Sequence, residues 1–213
     1  MSKAKTREDR ATYESTYNGK RILTNKKKGL GCDTDILDKM YRLITFYTKK
    51  HNKVGITRFD TRFLQNQFAP DDNKAFSRFI ATFNKDLKRK GLDPKYIAVR
   101  EQSREKHQHY HVAVLTDGNK IQHPHEVIKA AEEHWNRTIG QDKDYKGLVD
   151  YCTKSRSEDK QTNHYRLRRG DENYDEELNN CFERCSYLAK INTKGNAPHR
   201  TREVFMSRIP PTF

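Results

Sequence analysis

Apolar residues at Ile36, Leu37, Met40, Leu43, Ile44 and Tyr47 recur every three to four positions, which predicts an amphipathic helix capped by Asp33 or Thr34 and ending near 51–53. Residues 54–64 interleave β-branched and aromatic side chains with polar ones and predict a strand. Ala69-Pro70-Asp71-Asp72-Asn73 reads as a turn and helix start. Phe76, Phe79, Ile80, Phe83 and Leu87 then mark a second amphipathic helix over 74–90, stopped at Gly91. Residues 95–101 and 109–115 are strand-like runs on either side of seven polar residues, so an antiparallel hairpin is expected, closed by the turn Thr116-Asp117-Gly118-Asn119. A helix is expected over 125–137. Another is expected from the acidic run 171–177 to about Lys190, with the acids suited to its N-terminus. Residues 146–154 and 163–169 show no assignable period. After Lys194, Gly195, Pro198, Pro210 and Pro211 predict an irregular tail, and no internal repeat is visible.

The 213 residues suit one domain with appendages. Hydrophobic residues make up 33% and charged residues 34%, a balance that supports only a modest, well-patterned core. No run approaches the roughly 18 apolar residues of a membrane span, and the basic start MSKAKTREDR lacks the apolar stretch of a secretion signal, so a soluble, cytoplasmic protein is expected. The net charge of +14 favours a polyanionic partner over a small acidic metabolite. It is uneven: residues 1–53 carry +8, which suggests a phosphate-seeking basic arm over 1–32, partly disordered. Arg78, Lys85, Lys88 and Arg89 line the polar face of the 74–90 helix, as either a solvated face or a DNA contact. Cys32, Cys152, Cys181 and Cys185 are scattered and are expected as free thiols.

Strand alternation puts His109 and His111 on one face and Tyr110 on the other, so two imidazoles can share one metal ion. Across the expected hairpin, Glu101 is either a third ligand or a surface partner of Arg100, Arg104 or Lys106. Two nitrogens and one oxygen with open positions describe a catalytic rather than a closed structural site. On the last helix Leu178, Cys181, Phe182, Cys185, Leu188 and Ala189 form the buried stripe, which makes the two cysteines core residues and not zinc ligands. Tyr187 falls opposite that stripe beside Glu183 and Lys190. From the helix alone it is an ordinary exposed tyrosine, and Lys190 either pairs with Glu183 or stabilises a phosphate beside the phenol.

Taken together, these parts match a known chemistry, in which a metal on a histidine pair polarises a phosphodiester and a tyrosine hydroxyl attacks phosphorus. In VGITRFDTRF (54–63), FSRFI (76–80), VREQSREKHQHYHVAVL (99–115) and SYLAKINTK (186–194), and more weakly in TYNGKRILTNKKKGL (16–30), the chain resembles the HUH endonucleases. Within them it is most similar to the replication proteins of filamentous phages and related elements, the YagK/YfjJ-like group. The resemblance implies that His109, His111 and Glu101 bind a divalent metal, Mn²⁺ or Mg²⁺, that Tyr187 is the nucleophile and that Lys190 assists it. Glu at 183 and Ile at 191 imply a single-tyrosine enzyme, with Tyr151, Tyr165 and Tyr174 as other candidate nucleophiles. Arg58, in the Arg58-Phe59-Asp60 element, joins Arg78, Lys85, Lys88, Arg89 and Lys194 as a candidate DNA contact.

The resemblance also implies an α+β fold: a single domain over 33–194 with a central antiparallel sheet of about five strands flanked by helices, and an irregular tail over 195–213. The implied activity is nicking and rejoining of single-stranded or melted origin DNA through a 5′-phosphotyrosine, which starts rolling-circle replication with a host helicase and polymerase in a bacterial cytoplasm. A relaxase or single-tyrosine transposase would use the same residues. A DNA-binding regulator without the chemistry would account for the charge but not for the combination of the histidine pair, Glu101, Tyr187 and Lys190.

Overall fold

The computed structural model describes residues 6–102, 107–154, 160–192 and 194–211. The Asp33 carboxylate accepts from the Asp35 amide at 2.9 Å and starts α1 (Thr34–Lys50), whose apolar stripe is buried. Strand β1 (Lys53–Thr61) follows, then α2 (Lys74–Arg89), β2 (Lys95–Glu101), β3 (His109–Asp117), α3 (His125–Thr138), β4 (Val149–Asp150), β5 (His164–Arg168), α4 (Tyr174–Cys185) and β6 (Val204–Met206). These strands form one antiparallel sheet in the order β6-β2-β3-β1, and the far edge of β1 pairs with β5 along its first half and β4 at its end. The fold is α+β. None of the described helices is long and apolar enough to cross a membrane.

Because side chains alternate along a strand, the sheet has two apolar faces, each covered by a pair of helices. Val54, Ile56, Ile97, Val99, Ala113 and Leu115 pack under α1 and α4. Phe59, Ala98, Tyr110, Val112 and Val114 pack under α2 and α3 with Phe76, Phe79, Phe83 and Trp135. Tyr110, between the two histidines, stacks on Phe76 with ring centroids 4.0 Å apart, so it belongs to the face opposite the histidines, as alternation requires.

Several boundaries differ from the sequence expectation. Strand β1 stops at Thr61 instead of running to Leu64, and Trp135 Nε1 donates to the Arg62 carbonyl at 2.7 Å where the chain leaves the ladder. The two unassigned segments contain β4 and β5. The final helix ends at Cys185, not near Lys190: Ser186 Oγ donates to the Glu183 carbonyl at 2.6 Å and accepts from the Leu23 amide at 2.8 Å, and Ser186–Ala189 form a tighter 3₁₀ turn. The tail is not wholly irregular, because β6 pairs with β2 and buries Phe205.

The basic arm packs on the domain over its described part. Ile22 and Cys32 are buried in the α1/α4 core, and Arg21 meets Glu176 and Glu183 at 2.8 and 3.1 Å. Arg10 pairs with Asp33, and Arg7 with Glu203. Residues 1–5, and with them the start of the arm, lie outside the described residues.

Candidate metal and nucleophile site

The α1/α4 face of the sheet carries a row of polar residues where apolar ones would otherwise continue. Register sets it: His109 lies across from Glu101, and His111 lies between Val99 and Asp60. His111 Nε2 is 2.8 Å from Glu101 Oε2, and its Nδ1 is 2.6 Å from Asp60 Oδ1. His109 Nε2 is 3.4 Å from the same Glu101 oxygen. One ligand atom from each of Glu101, His109 and His111 lies within 4.8 Å of the others. Donors that converge this closely in a mixed nitrogen and oxygen set fit a divalent cation. Asp60 completes the fit: by accepting from Nδ1–H it fixes the His111 tautomer that leaves Nε2 to a metal.

The electrostatics follow from burial and pairing. Burial alone would raise the Asp60 carboxyl, but His111 and Arg58 hold it well below the usual carboxylate range. Burial likewise opposes ionisation of Glu101, and hydrogen bonds from His109 and His111, with the charge of Lys194, hold it low. For His111, burial disfavours the imidazolium, yet Asp60 and Glu101 raise its proton affinity above the ordinary histidine value. Arg58 Nη2 sits 3.2 Å from Asp60 Oδ1.

Tyr187 reaches this cluster from the 3₁₀ turn after α4. Its ring meets that of His111 edge-on, with centroids 5.1 Å apart, and the Lys190 ammonium lies 4.0 Å from the tyrosine ring centroid. It is half-buried rather than exposed. Burial lowers the proton affinity of Lys190. The guanidinium carbons of Arg58 and Arg184 lie 4.8 and 5.8 Å from the same ring.

Other expected residues fall elsewhere. Lys194 is not at the surface: its side chain is 0% exposed, and Nζ donates to Glu101 Oε1 at 3.0 Å and to the Lys190 carbonyl. A buried ammonium needs such a counter-ion. Arg100 points to Asp71 and not to Glu101; Arg104 and Lys106 lie outside the described residues. Arg78, Lys85, Lys88 and Arg89 are exposed on α2, in the layer across the sheet from Tyr187. Tyr165 is buried in the α1/α4 core, Tyr174 packs against that core, and Tyr151 makes no ring or hydrogen-bond contact with the cluster. All four cysteines are free, and Cys181 and Cys185 are core residues.

Sequence reasoning left Asp60 without a duty and passed over Arg184. The signals were the two-residue spacing of Arg58 and Asp60, which puts both on the face of the histidines, and the position of Arg184 one turn before Tyr187.

The family model of the YagK/YfjJ C-terminal domain matches residues 12–203, nearly the whole chain. The chain belongs to the YagK/YfjJ C-terminal domain family. The match takes in every member of the cluster, from Arg58 to Lys194, together with most of the arm that packs on α4. No curated protein and no solved structure gives a match.

Proposed function

We propose that this YagK/YfjJ-family protein nicks and rejoins single-stranded DNA with Tyr187 as the nucleophile. The observation that carries the reading is the Tyr187 ring packed against His111 with the Lys190 ammonium 4.0 Å from its centroid. A phenol beside a convergent donor set and a cation is the combination that phosphodiester transfer needs. Glu101, His109 and His111 would hold Mn²⁺ or Mg²⁺, which supplies Lewis-acid polarisation of the phosphodiester.

The protein's own residues do the rest. Asp60 keeps the proton of His111 on Nδ1, and Lys194 holds one Glu101 oxygen so that the other stays turned to the histidines. The Tyr187 oxygen bonds to phosphorus as the bond from phosphorus to the 3′ oxygen breaks. The phenol gives up one proton and the 3′ oxygen takes one up, so the products are a 5′-phosphotyrosine and a free 3′ hydroxyl. The energy of the broken ester is kept for rejoining, and no nucleotide cofactor is needed. Initiation of rolling-circle replication in a bacterial cytoplasm, with a host polymerase extending the 3′ end, is the setting that uses both products.

The test is incubation with a pool of single-stranded oligonucleotides and Mn²⁺, followed by a denaturing gel and peptide mass analysis. The expected result is a chelator-sensitive DNA adduct on Tyr187, absent in Tyr187→Phe, which still binds DNA. No adduct on any tyrosine with DNA binding intact would overturn the reading in favour of a regulator.

A further inference from the structure

Arg184 carries a charge for which the described residues supply no counter-ion. Its Nε donates to Asn163 Oδ1 at 3.0 Å and its Nη2 to Gln161 Oε1 at 2.6 Å, and both acceptors are neutral amides. Among the described residues no carboxylate pairs with it, and the adjacent Glu183 is taken by Arg21. Burial, and secondly the charge of Arg58, make its guanidinium hold its proton less tightly than usual. The two arginines share an anchor, since Arg58 Nη1 also lies 3.5 Å from Asn163 Oδ1. Arg58 Nε is buried with no hydrogen-bond partner.

The charges around Tyr187 can be paired off. Arg58 faces Asp60, Lys194 faces Glu101, and His111 lies between those two carboxylates. Among the described residues Arg184 and Lys190 are left without a paired carboxylate, both beside the Tyr187 ring. Holding like charges together in a part-buried place costs free energy, and the amides here orient the cation without neutralising it. That is how a protein builds a receptor for an anion that arrives with the substrate. Beside Arg184 a groove of about 440 Å³ is lined by Leu23, Thr162, Tyr165 and Asn180 and by two acids, Glu177 and the Arg21-paired Glu183, so that it has room for the uncharged base and sugar of a flanking nucleotide while the anion itself sits at Arg184.

We propose that Arg184, aligned by Asn163 and Gln161 and backed by Arg58, is a catalytic residue that grips a non-bridging oxygen of the phosphodiester attacked by Tyr187, with the flanking nucleotide in the groove beside it. The assignment rests on the nicking reading for its reaction, but its phosphate contact can be measured without cleavage.

The test compares Tyr187→Phe with the double variant Tyr187→Phe, Arg184→Gln, binding a fluorescent oligothymidylate over a range of salt concentrations. Loss of one phosphate contact lowers the slope of log affinity against log salt by about 0.7. A second double variant with Arg184→Lys keeps the charge and should keep the slope. In the Tyr187 background, Arg184→Gln should slow adduct formation by about 10²-fold, the cost of one removed transition-state donor. An unchanged slope, or an equal loss of slope in the lysine variant, would overturn the assignment. If the slope falls while the unmutated protein forms no adduct, the phosphate receptor stands and the nicking reading fails. An adduct with an unaltered rate and slope in the glutamine variant leaves nicking standing and refutes this role for Arg184.

Discussion

Asp60→Asn tests whether the second carboxylate at His111 serves the proposed metal site. The substitution preserves shape and removes one charge from an oxygen 2.6 Å from His111 Nδ1 and 3.2 Å from Arg58 Nη2. Partners of this kind, one bond removed from a ligand, are worth about 10–100-fold in metal affinity, or about 1.4–2.7 kcal/mol. The same change strands the Arg58 guanidinium, 3% exposed, without a carboxylate. Breaking a buried pair costs about 3–5 kcal/mol, so circular dichroism must first show that the variant is folded at the assay temperature. Proton competition sets the pH design. His111 has a raised folded pKa, so its protonated form stabilises the metal-free protein below about pH 6.5, and that stability is lost as pH rises through the folded value. Metal must displace this proton, so Mn²⁺ affinity should climb over the same window and then level off. In Asp60→Asn the climb should come at lower pH, because the charge that holds the proton is gone. Isothermal titration with Mn²⁺ over pH 6–9 gives both plateaus. Plateaus within twofold of each other in folded protein would refute the argument that Asp60 orients His111 for a cation.

Two further predictions concern the fold. Phe205 is buried against Phe76, with centroids 5.0 Å apart, so Phe205→Ala should cost about 3–5 kcal/mol in urea unfolding; a loss below about 1 kcal/mol would make the tail peripheral. Burial lowers the pKa of His164 to about 4, so the fold favours its neutral form; that stability is present above about pH 6.5 and is lost as pH falls towards 4. The ring is only half-buried, so solvent screening leaves about 1 kcal/mol of this between pH 7 and 5, and His164→Gln should remove that part of the slope in urea midpoints.

What the sequence made legible was what periodicity encodes. The stripes of α1, α2 and α3 and the alternation of β3 span enough residues to show their period, so the helices, the hairpin and the shared face of His109 and His111 could be read directly. Strand β5 alternates too, but Tyr165 and Leu167 are its only buried positions, and β6 offers Phe205 alone. Edge strands this short carry too few positions for a period. The stripe of Cys181, Phe182, Cys185, Leu188 and Ala189 is buried as its spacing predicts and Tyr187 stays out of that core, but the helix alone could not show that the other side of Tyr187 meets His111 and Arg58 from the sheet, which leaves it half-buried and not exposed. Lys194 was misplaced because a lysine seen alone belongs at the surface. Its counter-ion, Glu101, lies 93 residues away, a separation no local pattern reveals.

The same distinction between local and long-range information applies to charge. A net charge of +14 suggests a broadly basic surface, but the structure divides it. Arg7, Arg10 and Arg21 are matched by Glu203, Asp33 and the acids of α4, so the described arm offers its site less charge than its composition implies. The exposed row Arg78, Lys85, Lys88 and Arg89 lies in the other layer, with α2 and the sheet between it and Tyr187. The row and Tyr187 are on opposite sides of the sheet, and the exposed charges of the row are screened by the solution they face over about 8 Å at physiological salt. That row therefore contributes little to the potential at Tyr187, and under the proposed function a strand bound there would meet Arg184 and Lys190 instead. Under the proposed function, neutralising all four α2 charges should weaken general attraction to a polyanion and leave the proposed receptor intact, whereas the single change at Arg184 should act at the reacting phosphate.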